Sequence, residues 1–317
     1  MYTADEVLHG IDLTGRTAVV TGGYSGVGLA ITRALNRAGA RVIVPARRPD
    51  VARRNLGATA ETVEMDLGDL SSVDAFATSY LRHHRALDFL ITSAAIMACP
   101  ETRVGPGWEA QFAVNHLGHF ALTCGLWPAL TRASAARVVA VASGRSPEDR
   151  IRWHDVHFTD GYQKWAAYGQ SKLANVLFAH HLDRLGAAHG VRAFSASPGY
   201  IRTPLQRHLT IAEMTEAGWL GTDGEPAPGL FCTPEQGAAT PLWAATAATQ
   251  GGAYCTDCRE SEPYPHDDVE AERLWRYSAK LTGRAIPSDS IASTDSPADD
   301  DSGQREFLAG RTSTESD

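Results

Sequence analysis

The 317-residue sequence lacks several features that would place it in large classes of protein. No run approaches the ~18 consecutive apolar residues that a membrane-spanning helix needs. The first residues include Asp5 and Glu6 and have no apolar segment of the kind found in a secretory signal. Five cysteines, an odd number in a long chain, do not suggest a disulfide framework. We therefore expect a cytoplasmic protein with no membrane span.

Positive charge is scarce and unevenly distributed. The formal net charge is −8, and residues 286–317 contribute −6 of it through eight acidic residues and two arginines. The rest of the chain is nearly neutral and has no basic stripe, which argues against nucleic acid as a partner. Because residues 286–317 are also rich in Ser, Asp and Thr and have few aromatic residues, we expect a disordered acidic tail there.

Short apolar runs alternate with longer amphipathic stretches from Gly15 to Ser197. The apolar runs predict strands at Thr17–Thr21, Arg41–Pro45, Thr62–Met65, Asp88–Thr92, Arg137–Ala142 and Val191–Ala196. The stretches between them predict helices at Val27–Ala38, Val73–His84, Trp108–Ala133 and Trp165–Ala188. Buried strands that are each followed by a helix are typical of a parallel sheet. The sequence therefore predicts an α/β fold: a single doubly wound, Rossmann-type domain over residues 15–285, with a central parallel sheet flanked by helices on both faces, after a lead-in over residues 1–14.

One segment, 203–233, interrupts the alternation. It is rich in Pro, Gly and isolated apolar residues, and it is too long for an ordinary connection. Connections of this length are often functional, so we predict that it forms a lid over a substrate pocket. Its apolar side chains, which would suit an apolar substrate of moderate size, are Leu205, Leu209, Ile211, Met214, Trp219, Leu220 and Phe231.

A glycine-rich turn joins the first predicted strand to the first predicted helix. Glycines allow a tight turn and let backbone amides approach a pyrophosphate, while the helix N-terminus supplies oriented N–H groups and partial positive charge. Because a strand precedes the turn and a helix follows it, the pattern predicts a dinucleotide site. Its residues are Gly22, Tyr24, Ser25, Gly26, Val27 and Gly28.

The end of the second predicted strand indicates which dinucleotide binds. An acid at this place would bind a ribose 2′-hydroxyl. Here Arg47 and Arg48 follow the strand instead, with Arg47 nineteen residues after Gly28. A guanidinium suits a 2′-phosphate, and no acid is present to repel one. The sequence therefore favours NADP(H) over NAD(H).

A tyrosine and a lysine are spaced for proton transfer. Tyr168 and Lys172 lie four residues apart in a predicted helix, so their side chains share one face. A nearby cation favours the phenolate, so we expect Lys172 to lower the pKa of Tyr168 from about 10 toward working pH. Ser143 ends a predicted strand 25 residues before Tyr168. Asn115 falls inside a predicted helix. Asn is unfavourable at such a position, so its presence there requires an explanation.

These residues and motifs together resemble the short-chain dehydrogenase/reductase family. The motifs are T-G-x-x-x-G-x-G at 21–28, Y-x-x-x-K at 168–172 and P-G-x-x-x-T at 198–203. The resemblance implies that Tyr168 is the acid/base and that Lys172 tunes it and holds the nicotinamide ribose. It also implies that Ser143 binds the reacting oxygen, and that Asn115 sits in a backbone distortion holding a water that links Lys172 to solvent.

The resemblance implies further cofactor contacts. Asp66 and Leu67 match the pair that contacts adenine, although Asp66 could equally be a loop cap. Ile201 and Thr203, in the loop that begins at Pro198 and Gly199, would meet the nicotinamide. The family's N-N-A-G motif is replaced here by Thr92-Ser93-Ala94-Ala95. We expect this departure to change the support of the sheet and cofactor at Ser93, Ala94 and Ala95 without loss of the chemistry.

Several strings resemble in particular the retinol-dehydrogenase-like and WW-domain-oxidoreductase-like branch: Ile151–Phe158, the residues around Tyr168, Gly252–Cys258 and Glu272–Gly283. Cys255 and Cys258 match a stretch of that branch, and no second ligand pair follows them, so we predict no metal site. His154 and His157 are interpreted as packing or pocket-rim residues. The resemblance also implies a homodimer or homotetramer, formed through the helices predicted at Trp108–Ala133 and Trp165–Ala188.

The sequence thus predicts an NADP(H)-dependent oxidoreductase that interconverts a secondary alcohol and a ketone, or an aldehyde, on an apolar substrate of medium size. Two alternatives stay open. One is reduction of a C=C or C=N bond on the same scaffold, with the tyrosine protonating carbon or nitrogen. The other is a redox-silent protein that binds NADP(H) as a sensor or scaffold, suggested by the altered motif at 92–95 and the acidic tail.

Overall fold

A mostly parallel sheet forms the centre of the computed structural model, which describes residues 1–144, 149–261 and 268–287. Within these residues the strands are β1 Thr17–Thr21, β2 Arg41–Ala46, β3 Glu61–Glu64, β4 Phe89–Thr92, β5 Arg103–Val104, β6 Trp108–Glu109, β7 Ala136–Val141, β8 Val191–Ala196, β9 Tyr254–Thr256 and β10 Arg259–Glu260. The main sheet has the order β10-β9-β8-β7-β4-β1-β2-β3, and only its β9–β10 pair is antiparallel. The short strands β5 and β6 form a separate hairpin.

Helices flank the sheet. They are α1 Ala4–Val7, α2 Gly26–Arg37, α3 Pro49–Leu56, α4 Leu70–His83, α5 Ala110–Phe112, α6 Gly118–Leu130, α7 Lys164–Gly186, α8 Ile211–Glu216, α9 Pro234–Thr246 and α10 Asp268–Thr282. A π-helix at Ala113–Leu117 joins α5 to α6. Helix α2 packs against α9, α4 packs against α6, and α7 packs against α10. Among the described residues, no helix combines the length and apolar character needed to cross a bilayer.

The strand order places a crevice at the carboxyl ends of the strands. The chain runs from β1 outward to β2 and β3, and then crosses to β4 on the other side of β1. Ligands bind at such a reversal in doubly wound sheets, outside the carboxyl ends of the strands. The glycine-rich turn leaves the end of β1, and Ser143 follows the end of β7, so both lie at this edge.

Strand interiors supply the core. Val20, Val44 and Ile91 are fully buried in β1, β2 and β4, and they belong to one apolar cluster with Leu35 of α2 and Leu242 of α9. Burying an aliphatic side chain of this size stabilises the fold by roughly 1.5–3 kcal/mol. The near-continuous apolar runs that predict the strands are therefore the residues covered by helices on both faces.

The six predicted strands are confirmed with boundaries shifted by at most one residue, and the predicted parallel sheet is confirmed. The elements that were not predicted are strands β5, β6, β9 and β10 and helices α1, α3, α8, α9 and α10. The predicted helix Trp108–Ala133 is wrong at its start, because Trp108 pairs with Val104 across the β5–β6 hairpin. Glu109 then caps α5: its carboxylate accepts hydrogen bonds from the backbone N–H groups of Gln111 and Phe112 at 2.9 and 2.6 Å.

The structure describes the predicted lid segment but only the first two residues of the predicted tail. The segment 203–233 contains a 3₁₀-helix at Pro204–Gln206 and the short helix α8, and it ends where Thr233 caps α9. The predicted tail 286–317 lies outside the described residues except for Ile286 and Pro287.

Candidate active site

The glycine-rich turn has no room for side chains at two of its glycines. A Cβ on Gly28 would lie 2.4 Å from the carbonyl oxygen of Gly22, and a Cβ on Gly22 would lie 2.9 Å from the Cα of Ala94. Gly22 and Gly26 also have positive φ angles of 65° and 51°, a conformation that glycine adopts readily. The Ser25 hydroxyl does not cap α2, so the first N–H groups of this 12-residue helix face the turn. The turn therefore fits a pyrophosphate.

The remaining residues of the turn are held by neighbouring helices. The carbonyl oxygen of Tyr24 accepts a hydrogen bond from Asn55 Nδ2 of α3 at 3.0 Å. A Cβ on Gly237 of α9 would lie 3.3 Å from Cγ2 of Val27. These contacts fix the turn against α3 and α9.

Arginines gather beside the turn. Arg47 and Arg48 are exposed directly after β2, where Arg48 precedes the first residue of α3. Arg207, in the segment 203–233, has its pKa lowered by burial and by the positive charges of Arg47 and Arg48. Among the described groups that act on Arg207, none is a carboxylate. The positive charges of Arg47 and Arg48 thus reach Arg207, and such a concentration of positive charge suits an anion. Sequence reasoning missed Arg207, because nothing in the sequence positions residue 207 beside residues 47 and 48.

The ends of β3 and β4 complete the cofactor side. The Asp66 carboxylate accepts a hydrogen bond from the N–H of Gly68 at 2.9 Å, so Asp66 acts as a loop cap, and Leu67 beside it is buried. Ala94 donates its N–H to Thr21 Oγ1 at 3.0 Å, while Ser93 and Ala95 on either side are half-buried. Whether these residues touch a cofactor stays a prediction.

Tyr168, Lys172 and Ser143 come together at the carboxyl edge of the sheet. Helix α7 places Lys172 Nζ 5.8 Å from the centre of the Tyr168 ring. Lys172 Nζ donates a hydrogen bond to the carbonyl oxygen of Val141, the last residue of β7, at 3.0 Å. The Ser143 side chain hydrogen-bonds the Tyr168 phenol. The three side chains that the sequence singled out therefore form one cluster.

The electrostatics of this cluster differ from expectation. Burial raises the pKa of Tyr168 to about 12; the hydrogen bond from Ser143 opposes the rise, and the negative charge of Asp149 adds to it. Burial also lowers the pKa of Lys172 to about 8. The predicted lowering of the Tyr168 pKa by Lys172 is therefore wrong for this structure. Removal from water disfavours the charged form of each group, and it is the largest influence on both pKa values.

Asn115 lies in the π-helix, where the backbone departs from α-helical geometry. Its side chain accepts a hydrogen bond from the N–H of Ile96 and donates one to the carbonyl oxygen of Ile96, both at 2.9 Å. Its amide also donates to Ser171 Oγ at 2.9 Å. The structure thus contains the distortion that the family resemblance implied, and Asn115 joins it to α7 and to Ile96 in the segment that follows β4.

The loop after β8 crosses in front of the turn. Ile201 is buried and forms an isolated bridge with Cys232, and Gly199, which follows Pro198, has a φ angle of 81°. Thr203 Cγ2 would lie 3.1 Å from a Cβ on Gly26, and its hydroxyl accepts a hydrogen bond from the N–H of Leu205 at 3.2 Å. Thr203 is thus beside the turn, and its predicted bond to a carboxamide stays a prediction.

A series of aromatic contacts begins at Tyr168. Its ring centre lies 6.5 Å from that of Trp165, and Trp165 packs edge to face on Trp219 at 5.8 Å. Trp219 also contacts Tyr200 and Phe231, at 6.0 and 6.3 Å. Trp165 and Tyr200, which sequence reasoning missed, are 40% and 52% exposed, so apolar surface remains open beside the reaction centre.

The other apolar residues of the segment 203–233 are spread between core and surface. Leu220 is buried, Leu205, Leu209 and Met214 are half-buried, and Ile211 is 66% exposed. Of the predicted lid residues, Trp219 and Phe231 are the ones linked to Tyr168 through ring contacts, by way of Trp165.

Two other groups of residues hold structural positions. His157 accepts a hydrogen bond from the N–H of Glu109 at 3.4 Å and contacts Phe112 edge-on, while His154 pairs with Arg152. Cys255 is fully buried in β9, and Cys258 Sγ lies 3.9 Å from Thr240 Oγ1.

Comparison with known proteins identifies the family of the chain. The sequence model of the short chain dehydrogenase family matches residues 16–213. The chain is 42% identical over 295 residues to a probable oxidoreductase of Streptomyces lividans, covering 85% of this chain and 98% of that protein. It is 35% identical to retinol dehydrogenase 12 of Bos taurus, covering 86% and 88%. The structure of the Pseudomonas aeruginosa RhlG/NADP active-site complex is similar, with a TM-score of 0.58 and 25% identity over 77% of this chain and 94% of that one. The chain therefore belongs to the short-chain dehydrogenase/reductase family and is an oxidoreductase similar to its retinol dehydrogenases.

Proposed function

We propose that the protein is an NADP(H)-dependent oxidoreductase that interconverts a secondary alcohol and a ketone, or an aldehyde, on an apolar substrate of medium size. The observation that carries the proposal is the cluster at the carboxyl edge of the sheet, where Tyr168 and Lys172 share one face of α7 and Ser143 hydrogen-bonds the phenol. A phenol, an ammonium and a hydroxyl in this arrangement suit proton transfer at a carbonyl or alcohol oxygen.

Each side chain has a distinct part in the proposed reaction. Tyr168 gives its phenolic proton to the carbonyl oxygen in reduction and takes the proton back in oxidation. Ser143 donates a hydrogen bond to the same oxygen and so orients the carbonyl. Lys172, held by Val141, lies one helical turn from Tyr168 and would hold the nicotinamide ribose, as the family resemblance implies. The nicotinamide, when bound, supplies or accepts the hydride, and the protein contributes geometry and electrostatics.

The raised pKa of Tyr168 favours reduction near neutral pH. With a pKa of about 12 the phenol keeps its proton at pH 7 and is ready to donate it. Oxidation needs the phenolate, whose population grows as the pH rises. We therefore propose that carbonyl reduction is the faster direction at neutral pH.

The preference for NADP(H) rests on charge. Arg47 and Arg48 follow β2, and their positive charges lower the pKa of Arg207. A 2′-phosphate brings negative charge to this position, where a guanidinium can form charge-assisted hydrogen bonds. The similarity to a protein solved with NADP gives further support.

The apolar substrate is supported by the rings near Tyr168. Trp165 and Tyr200 leave apolar surface exposed, and Trp219 links them to Phe231. Exposed apolar surface next to polar reacting groups is typical of a small-molecule site.

The proposal is tested by following nicotinamide absorbance with purified protein, NADPH or NADH, and a panel of apolar ketones and aldehydes. Turnover that is faster with NADPH, with an alcohol as product, is the expected result. Preference for NADH would contradict the cofactor assignment but leave the proposed carbonyl chemistry unchanged. A product saturated at C=C or C=N would contradict the carbonyl assignment. Binding of NADPH without turnover on any substrate would favour the sensor or scaffold alternative.

A further inference from the structure

A buried histidine joins the nucleotide-binding turn to the catalytic helix. His119 lies at the second position of α6 and is only 2% exposed. Its Nε2 is 2.9 Å from Oγ1 of Thr21, the last residue of β1. Its Nδ1 is 2.9 Å from the carbonyl oxygen of Asn115 in the π-helix. One imidazole therefore bridges two elements of the site.

The hydrogen bonds of His119 can run in only one direction. The Asn115 carbonyl can only accept, so Nδ1 carries the hydrogen. Burial lowers the pKa of His119 to about 4, so the ring is neutral at pH 7 and its Nε2 is an acceptor. The Thr21 hydroxyl must then donate to Nε2, while its oxygen accepts the N–H of Ala94 at 3.0 Å. Every polar group in this bridge has a defined donor or acceptor role.

The network continues from Asn115 to the helix that carries Tyr168. The Asn115 amide donates to Ser171 Oγ at 2.9 Å, and the Ser171 hydroxyl donates to the carbonyl oxygen of Tyr168 at 2.8 Å. Ser171 is fully buried and directly precedes Lys172. At the other end, Ala94 forms the wall against which Gly22 packs without space for a Cβ. A small shift of Thr21 or Ala94 would therefore disturb the turn.

A second buried histidine provides a comparison. His116 is 1% exposed, and its Nε2 lies 2.7 Å from Ser278 Oγ of α10. Burial lowers its pKa to about 3. His116 thus has the same degree of burial and a similar hydrogen bond, but this bond leads to α10 and away from the nucleotide-binding turn.

We propose that His119 is a positioning residue that couples cofactor binding to the geometry of proton transfer, by tying the end of β1 to the π-helix and through Asn115 and Ser171 to Tyr168 and Lys172. The proposal rests on the proposed function for its kinetic consequence, because the coupling reaches the tyrosine that transfers the proton. Its effect on NADPH binding is independent of that function.

The test compares His119→Phe with His116→Phe in the full-length protein. Both changes keep an aromatic ring in a buried position and remove its hydrogen bonds. NADPH affinity is measured by quenching of tryptophan fluorescence, and kcat is measured at saturating NADPH with the best substrate of the panel. We expect His119→Phe to weaken NADPH binding and to lower kcat, each by about 10-fold or more, because buried partners lose their hydrogen bonds and reacting groups shift. His116→Phe should lower the melting temperature and leave the NADPH affinity within about twofold, because the bond from His116 to Ser278 leads away from the nucleotide-binding turn.

Two further variants show whether the bridge acts as one unit. Thr21→Val removes the hydroxyl between His119 and Ala94 and keeps the branched shape. The double variant Thr21→Val/His119→Phe should lose no more NADPH affinity than the single variant with the larger loss, because the effects of residues in one network are not additive. His119→Gln, which restores an acceptor toward Thr21, should recover part of the loss.

The outcomes separate this proposal from the proposed function. NADPH affinity and kcat within twofold of the parent in His119→Phe would overturn the coupling, as would an equal loss of NADPH affinity in His116→Phe or additive losses in the double variant. If His119→Phe does not fold, Thr21→Val and His119→Gln decide by the same two measurements. A parent protein that binds NADPH but reduces no carbonyl would overturn the proposed function, and the NADPH affinities of the variants would still decide the coupling.

Discussion

The indole ring of Trp165 packs edge to face against that of Trp219, with ring centres 5.8 Å apart. Trp165 lies three residues before Tyr168 in α7, and Trp219 belongs to the segment 203–233. Lys164, the first residue of α7, also forms an ion pair with Glu213 of α8. Two adjacent residues of the catalytic helix thus hold the segment that we propose as the lid, so the position of the lid and that of Tyr168 are linked.

Trp219→Ala should raise the KM for apolar substrates by roughly 10-fold. The substitution removes the indole ring that contacts Trp165, Tyr200 and Phe231 on the proposed substrate side of the site. The value of kcat should change less, since Tyr168 and Ser143 keep their hydrogen bond. Steady-state kinetics with short and long ketones measure both. Ile211→Ala, at a position 66% exposed on α8, is the matched control. An equal effect of the two substitutions would contradict the substrate-side position of Trp219.

Arg207→Gln should weaken NADPH binding by about 10-fold and leave NADH binding unchanged, because only NADPH carries the 2′-phosphate that the arginine cluster would meet. The NADPH affinity of the parent should also fall as salt is added. Fluorescence titrations with both cofactors provide the measurement. Arg53→Gln on α3, where Arg53 pairs with Asp50, is the control. Equal weakening of NADPH and NADH would assign Arg207 to a part common to both cofactors and contradict the prediction.

The two reaction directions should depend differently on pH. Alcohol oxidation requires the Tyr168 phenolate, so its rate should rise as the pH increases from about 7 to about 10. Ketone reduction requires the protonated phenol, whose pKa is raised to about 12 by burial, so its rate should not rise over the same range. Initial rates in overlapping buffers, with stability at each pH checked separately, give the two profiles. Fastest oxidation at acid pH would contradict Tyr168 as the group that transfers the proton.

The sequence predicts the sheet well because its central strands are buried on both faces. Val19, Ile43 and Val139 belong to unbroken apolar runs whose length matches a strand. Strands β9 and β10, at one end of the sheet, have only three and two residues, and they are fixed by pairing with β8 and with each other. Their short runs carry no periodic signal, so tertiary contacts are needed to define them.

The site was predictable where one element carries the chemistry, as for Tyr168 and Lys172 on α7. It was not predictable where distant segments meet, as for Arg207 beside Arg47 or His119 between Thr21 and Asn115. The direction of the Tyr168 pKa shift was also missed, because burial depends on the packed structure and has no local signature.

The central claim is that Tyr168 transfers the proton, and Tyr168→Phe tests it most directly. The variant removes one hydroxyl and keeps the ring that packs on Trp165. NADPH binding by fluorescence and ketone reduction by nicotinamide absorbance are measured on the same preparation. The account predicts NADPH affinity close to that of the parent and a loss of turnover of at least about 100-fold. Turnover within a few-fold of the parent, with NADPH still bound, would contradict it.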